Sequence, residues 1–131
     1  MKIIEIISDE VAYPPKFGSP TSLALQYGNL IFISGMMPWN LERNVVVPGD
    51  IEIQTRQALA NMDAVLKAAG SSMNNILKIT FYLTDIRNKQ VVWKVRKEFF
   101  GENRPASTLV GVSGLVDPLA LLEVDAIACK E

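Results

Sequence analysis

The stretch Leu77-Lys78-Ile79-Thr80-Phe81-Tyr82-Leu83-Thr84 decides how this chain is read, because its apolar and polar residues alternate without a break. Successive side chains of an extended strand point to opposite faces, so Leu77, Ile79, Phe81 and Leu83 share one face and Lys78, Thr80, Tyr82 and Thr84 the other. A half-buried strand is expected here. Before it, from Ile51 to Ala69, the residues Ala58, Leu59, Met62, Val65 and Leu66 return at the spacing of a helix with one apolar stripe. Asp50 suits its N-cap and Gly70 the residue just past its end. After the strand, Val91, Val92, Val95 and Phe99 mark a second helix over about Asn88 to Phe100, which stops at Gly101.

Further out, Lys2 to Ile7 reads as a strand, and Val11 to Pro20 as an irregular connection rich in proline and glycine. Ser22 to Tyr27 and the apolar run Leu30 to Ser34 flank Gly28-Asn29, a strong hairpin signal; Gly35 and Pro38 are expected to end the second of these strands. Thr108 to Val112 and Leu119 to Ala128 supply the last two strands, with a turn at Val116-Asp117-Pro118. The order is β-β-β-α-β-α-β-β. It predicts an α+β domain, a six-stranded mixed sheet with two helices on one face. In the last strand Ala120, Leu122, Val124, Ala126 and Ala128 form one face, and Leu121, Glu123, Asp125 and Ile127 the other. Both faces are largely apolar, so the uncovered side of the sheet is expected to pack against further copies of the chain.

At 131 residues one domain spanning 1–131 is expected, and the apolar runs are too short for a membrane span. The start of the chain lacks the long apolar region and small-residue cleavage site of a secretory signal, and the single cysteine, Cys129, has no partner for an internal disulfide. The cytoplasm is the expected compartment. Thirteen basic and fourteen acidic residues give a net charge of −1, which offers no long-range attraction to nucleic acid. With no histidine, imidazole bases, Ser-His and Cys-His pairs and most zinc sites are excluded. No metal or cofactor motif is present, so acid–base chemistry falls to carboxylates, lysines, tyrosines, backbone groups or water.

Against that background Glu123 stands out as a carboxylate inside an apolar strand. Desolvation there raises a carboxyl pKa unless donors hold the ionised form, so Glu123 is either a tuned acid–base or a structural ion-pair partner. Asp125, two residues on, makes a carboxylate pair of the kind glycosidases use, but no aromatic-rich sugar cleft accompanies it, and it reads as the solvated end of the strand. Cys129 without a histidine reads as a small packing residue. Trp93-Lys94-Val95-Arg96-Lys97 interleaves cations with an aromatic, and its spacing is that of a solvated helix face rather than a nucleic-acid patch. Gly111-Val112-Ser113-Gly114 lacks the following helix of a phosphate loop, and Met36-Met37 reads as core packing or the wall of a ligand pocket.

Read together, Gly28 to Gly35 with Pro38, Gly49-Asp50-Ile51-Glu52, Gln54-Thr55-Arg56-Gln57, Asn61 and Ala69-Gly70-Ser71-Ser72 make a joint pattern. It continues through Asp85, Phe99-Phe100-Gly101-Glu102-Asn103, Pro105-Ala106, Gly111-Val112, and Glu123 with Ala126-Ile127-Ala128. On these residues the chain resembles, over nearly its whole length, the RidA/YjgF family, once described as translation inhibitors or endoribonucleases. The resemblance implies a chorismate-mutase-like fold (bacillus type) and a homotrimer. Its sheets pack into a central β-barrel, and three small-molecule clefts lie between subunits.

Deaminase members hydrolyse reactive enamines and imines, with a last-strand glutamate positioning water and the arginine of a Pro-Ala-Arg motif gripping the substrate carboxylate. Glu123 matches the glutamate, but Ser107 stands at the arginine's position. The early tyrosine and glutamine of the family become Thr21 and Leu23, which implies a less polar cleft. The resemblance therefore implies a 2-iminobutanoate/2-iminopropanoate deaminase-like hydrolase of altered specificity. Glu123 would position water, Ser34, Gly35, Ser107 and Thr21 would shape the cleft, and Arg87 or, less readily, Arg104 would be a substitute cation. The alternatives are a non-catalytic trimer binding a small metabolite and, last, an RNA-cleaving translation inhibitor, which neither the charge nor the absent histidine favours.

Overall fold

The protein is described from a computed structural model covering residues 1–130. Six strands, β1 (Ile3–Ile6), β2 (Ala24–Tyr27), β3 (Leu30–Met36), β4 (Ile76–Leu83), β5 (Ala106–Gly111) and β6 (Leu122–Cys129), form one sheet in the order β1-β2-β3-β6-β4-β5. All neighbours are antiparallel except β4 and β5, which run parallel. That parallel pair needs a crossover, and α2 (Lys89–Phe100) supplies it. The longer helix, α1 (Ile51–Ala68), connects β3 to β4 and packs on β3, β6 and α2.

Local chemistry sets the ends of these elements. The Asp50 carboxylate accepts from the Ile53 amide at 3.1 Å, capping α1, and Gly70 past its end takes φ 77°, a left-handed conformation open to glycine at little cost. Tyr27 pairs with Leu30 across a two-residue turn in which Gly28 also has positive φ. Ile79, Phe81 and Leu83 of β4 are fully buried, as are Leu122 and Val124 of β6, and the register lines them up under the helices. The opposite face carries Leu25, Phe32 and Val110 in the open, with Phe32 45% exposed. Among the described residues no helix is long and apolar enough to cross a membrane.

Several strand boundaries differ from the sequence expectation, β2 starting at Ala24 and β5 at Ala106 among them, and two of the differences bear on the site. β3 runs through Gly35 to Met36, because pairing with β6 resumes beyond a register shift between Ile33 and Met36. β6 begins at Leu122 rather than Leu119, because the buried Gln54 side chain ties down the preceding turn. Its amide donates to Leu119 O at 3.2 Å and to Val47 O at 3.2 Å, and its Oε1 accepts from the Leu121 amide at 2.8 Å.

Candidate active site

The register shift in β3 makes the site. Ile33 pairs with Ala126 and Met36 with Val124, so β3 spends one residue more than β6 over this span and bulges at Ser34-Gly35. The bulge lies beside Glu123. A methyl group added at Gly35 would overlap Oε1 of Glu123 and come within 2.6 Å of its Cδ. Gly35 is thus required by close approach, and its missing side chain is the space the carboxylate occupies.

A cavity of about 310 Å³ opens here, walled by Thr21, Ser34, Gly35 and Glu123 together with Met36, Met37, Trp39, Arg43 and Asn61. Four of the residues expected at the site therefore meet within a single chain. The Ser34 hydroxyl donates to Ser22 O at 2.6 Å, which leaves its oxygen free to accept. Thr21 shares a 3.0 Å hydrogen bond with Ser19. Both methionines are buried and also line the cavity, so core packing and pocket wall are one role here.

Glu123 is half-buried, and among the described residues it forms no ion pair. Burial pushes its pKa above the ordinary carboxylate value, and the neighbouring Asp125 charge pushes the same way. Asp125 is not the solvated end of the strand: it sits mid-strand opposite Thr80 and accepts from the Tyr82 hydroxyl at 2.9 Å, which in turn raises the Tyr82 pKa. The carboxylate pair is thus split into one engaged group and one free group. A raised folded-state pKa means the native protein holds the Glu123 proton more tightly than the unfolded chain. That contribution to stability is complete below the unfolded pKa and is lost as pH rises through the folded one. Glu123→Gln is expected to melt at higher temperature than the wild type at neutral pH, with the difference vanishing below about pH 4; thermal melts across pH measure it.

Ser107 and Arg87 do not reach this cavity in the single chain. Ser107 lies on the edge strand β5 and accepts from Arg96 Nη1 at 2.9 Å. Arg87 chelates Asp85 through Nε and Nη2, its side chain 88% exposed, and this pairing holds the Asp85 carboxyl below the usual range. Arg104 is exposed in the turn before Pro105. The expected solvated face of α2 holds for Trp93, Lys94 and Lys97 but not for Arg96, which turns inward over Phe81 and Phe100.

Asn61, Trp39 and Arg43 were given no role from sequence. Asn61 is buried and donates to Met37 O and Trp39 O at 3.0 Å each, fixing the cavity wall beyond the bulge. Its signal was legible, because Gln54 and Asn61 both fall on the apolar stripe of α1. The Arg43 guanidinium lies 4.0 Å from the Trp39 ring centroid, and Trp39 Nε1 donates to Asp117 at 3.2 Å. Among the described residues no three Cys, Asp or Glu side chains gather as metal ligands.

Comparison with known proteins matches this picture. The family described as Endoribonuclease L-PSP matches residues 15–130. A RutC family protein of Pyrococcus horikoshii is 43% identical over 127 residues, covering 97% of this chain and 98% of that one. A protein of Dermatophagoides farinae named 2-iminobutanoate/2-iminopropanoate deaminase is 35% identical over 126 residues, 96% of each chain. The solved structure of the Rid family protein YyfA of Yersinia pestis superposes with a TM-score of 0.89 at 34% identity, covering 98% of this chain and 100% of that one. The six-stranded sheet with its two helices is thus the chorismate-mutase-like fold of these proteins. With sequence match and fold in agreement, the chain belongs to the RidA/YjgF family.

Proposed function

We propose that the protein hydrolyses small imines or enamines to carbonyl compounds and ammonia, with Glu123 positioning the attacking water. The observation that carries this reading is the free, desolvated carboxylate of Glu123 set against Gly35 in a cavity large enough for a small metabolite. A relative named as a deaminase of 2-imino acids supports the substrate class.

Hydrolysis of an imine needs water added to carbon and a proton delivered to nitrogen. Ionised Glu123 accepts a hydrogen bond from the water and takes its proton as the oxygen bonds to the imine carbon. Glu123 hands that proton to the nitrogen, giving the neutral carbinolamine; its hydroxyl proton then passes through Glu123 to the nitrogen as the C–N bond breaks, so the carbonyl compound and ammonia leave and Glu123 is ionised again. A carboxyl whose pKa burial raises above the ordinary value is a better proton acceptor than a solvated one, and the same group returns the proton it takes. The Ser34 hydroxyl oxygen and the backbone at the bulge orient the water and the nitrogen. Ammonia release from freshly generated 2-imino acids and from an enamine, measured against the uncatalysed rate, tests the reading. Acceleration supports it, and a rate equal to the blank for every compound rejects it in favour of a metabolite-binding role.

The assembly belongs to the same proposal: a homotrimer in which the open face carrying Leu25 and Phe32 is covered by neighbouring copies. Phe32→Asp is expected to shift the sedimentation profile from trimer to monomer, since a buried unpaired carboxylate costs several kcal/mol.

A further inference from the structure

The substrate carboxylate, which Ser107 cannot grip, needs a cation from somewhere. Arg96 of α2 points its guanidinium at that place. Nη1 donates to Ser107 Oγ at 2.9 Å, and the group lies 5.2 Å from each of the Phe81 and Phe100 ring centroids. Among the described residues Arg96 forms no ion pair. A serine hydroxyl is a neutral acceptor, a poor match for a half-buried guanidinium, and an incoming carboxylate would replace it with a charge-assisted pair. The two phenylalanine rings fix the orientation of the guanidinium beforehand.

The surroundings point to the same ligand chemistry. Arg96 lines a cleft of about 590 Å³ together with Lys94, Lys97, Arg104, Trp93 and Phe100, and no Asp or Glu is among the lining residues. Lys94 is engaged with Glu52 at 3.1 Å, while Lys97 and Arg104 form no ion pair among the described residues. Burial lowers the Arg96 pKa, the mark of a guanidinium partly stripped of water; as an arginine it keeps its charge, a state that an anion relieves. Arg43 is the rival cation. It shares the Glu123 cavity, but it is stacked on Trp39 at 4.0 Å, with Asp117 as well as Glu123 among the carboxylates near its rim.

We propose that Arg96, seated on Phe81 and Phe100 beside Ser107, is the substrate-carboxylate receptor of this protein, a guanidinium delivered from α2 instead of from β5. This rests on the imine-hydrolase reading for the identity of the ligand. Within one chain Glu123 opens on the face of β6 away from the helices. A single small substrate therefore meets both groups only where the β5 edge of one copy lies over the Glu123 cavity of another, and the site is incomplete without the second copy.

The test is calorimetric titration of the intact protein with 2-oxobutanoate, a stable oxo acid that needs no turnover, and separately with inorganic phosphate. Binding of the oxo acid that weakens roughly 10- to 100-fold in Arg96→Gln, the loss expected for a charge-assisted pair, supports the proposal. Partial retention in Arg96→Lys and recovery in Arg96→Gln/Ser107→Arg would show that both positions address one ligand group, a pattern a merely structural arginine does not give. Unchanged binding in Arg96→Gln, loss in Arg43→Gln instead, a preference for phosphate, or no binding by the wild type would each overturn it. The two readings separate cleanly. Arg96-dependent oxo-acid binding without ammonia release leaves the receptor standing and removes the hydrolase, while ammonia release with an unaltered KM in Arg96→Gln does the reverse.

Discussion

Glu123→Gln is expected to lower kcat for imine hydrolysis by about 10²- to 10⁴-fold, the range attributable to a positioned general acid–base. The substitution keeps the shape of the side chain and its place beside Gly35, so the cavity and the approach of substrate are preserved. An amide can still accept a hydrogen bond from water but cannot take its proton. The loss should therefore appear in kcat, with KM changed little, because the carboxylate of the substrate is held elsewhere. Steady-state kinetics with one 2-imino acid as substrate reads both parameters. The variant also gains stability at neutral pH, which separates a chemical defect from a folding defect: a slower enzyme that melts later has not been damaged in its packing.

The second large effect is expected at Gly35, where no side-chain chemistry is removed at all. In Gly35→Ala the added methyl group and the Glu123 carboxylate require the same space, so one of them moves. Because β3 and β6 are paired on both sides of the bulge, at Ile33–Ala126 and Met36–Val124, the backbone is held and the carboxylate is the group that yields. Displacing a catalytic group by about 1 Å costs on the order of 10²-fold in rate. Overpacking of this kind also costs about 1–3 kcal/mol in stability, which chemical denaturation measures. In Gly35→Ala/Glu123→Gln the rate should fall little below that of Glu123→Gln alone, since both changes act on the same carboxylate.

The parts of the fold governed by local pattern were legible in the sequence. The alternation of β4 from Lys78 onward, the apolar stripe of α1 between Asp50 and Gly70, and the Gly28-Asn29 hairpin each follow from spacing and turn chemistry alone; Leu77, expected on the buried face, is exposed because a register shift between Ile76 and Lys78 buries Ile76 instead. Glu123 was legible too, as an acid in an apolar strand, and the resemblance to a family then gave it a role. What the sequence could not show depends on distant partners. Ser34-Gly35 reads as the end of a strand, and only the β6 partner residues on either side reveal it as a bulge. Arg96 reads as one more cation on a solvated helix face. Its inward turn requires Phe81 from β4 and Ser107 from β5, neither of which is near it in the chain. Arg87, which looked like a substitute cation, finds its partner two residues away in Asp85.

The most direct measurement is the pH–rate profile of ammonia release from a 2-imino acid, recorded for the wild type and Glu123→Gln side by side. Ionised Glu123 is the form that accepts the water proton, so kcat/KM of the wild type should rise with pH through an apparent pKa above the ordinary value of 4.5. That limb should be absent from Glu123→Gln, whose residual rate follows the substrate's own titration. The same limb in both proteins, at the same pH, would show that Glu123 does not handle the proton and would contradict the account.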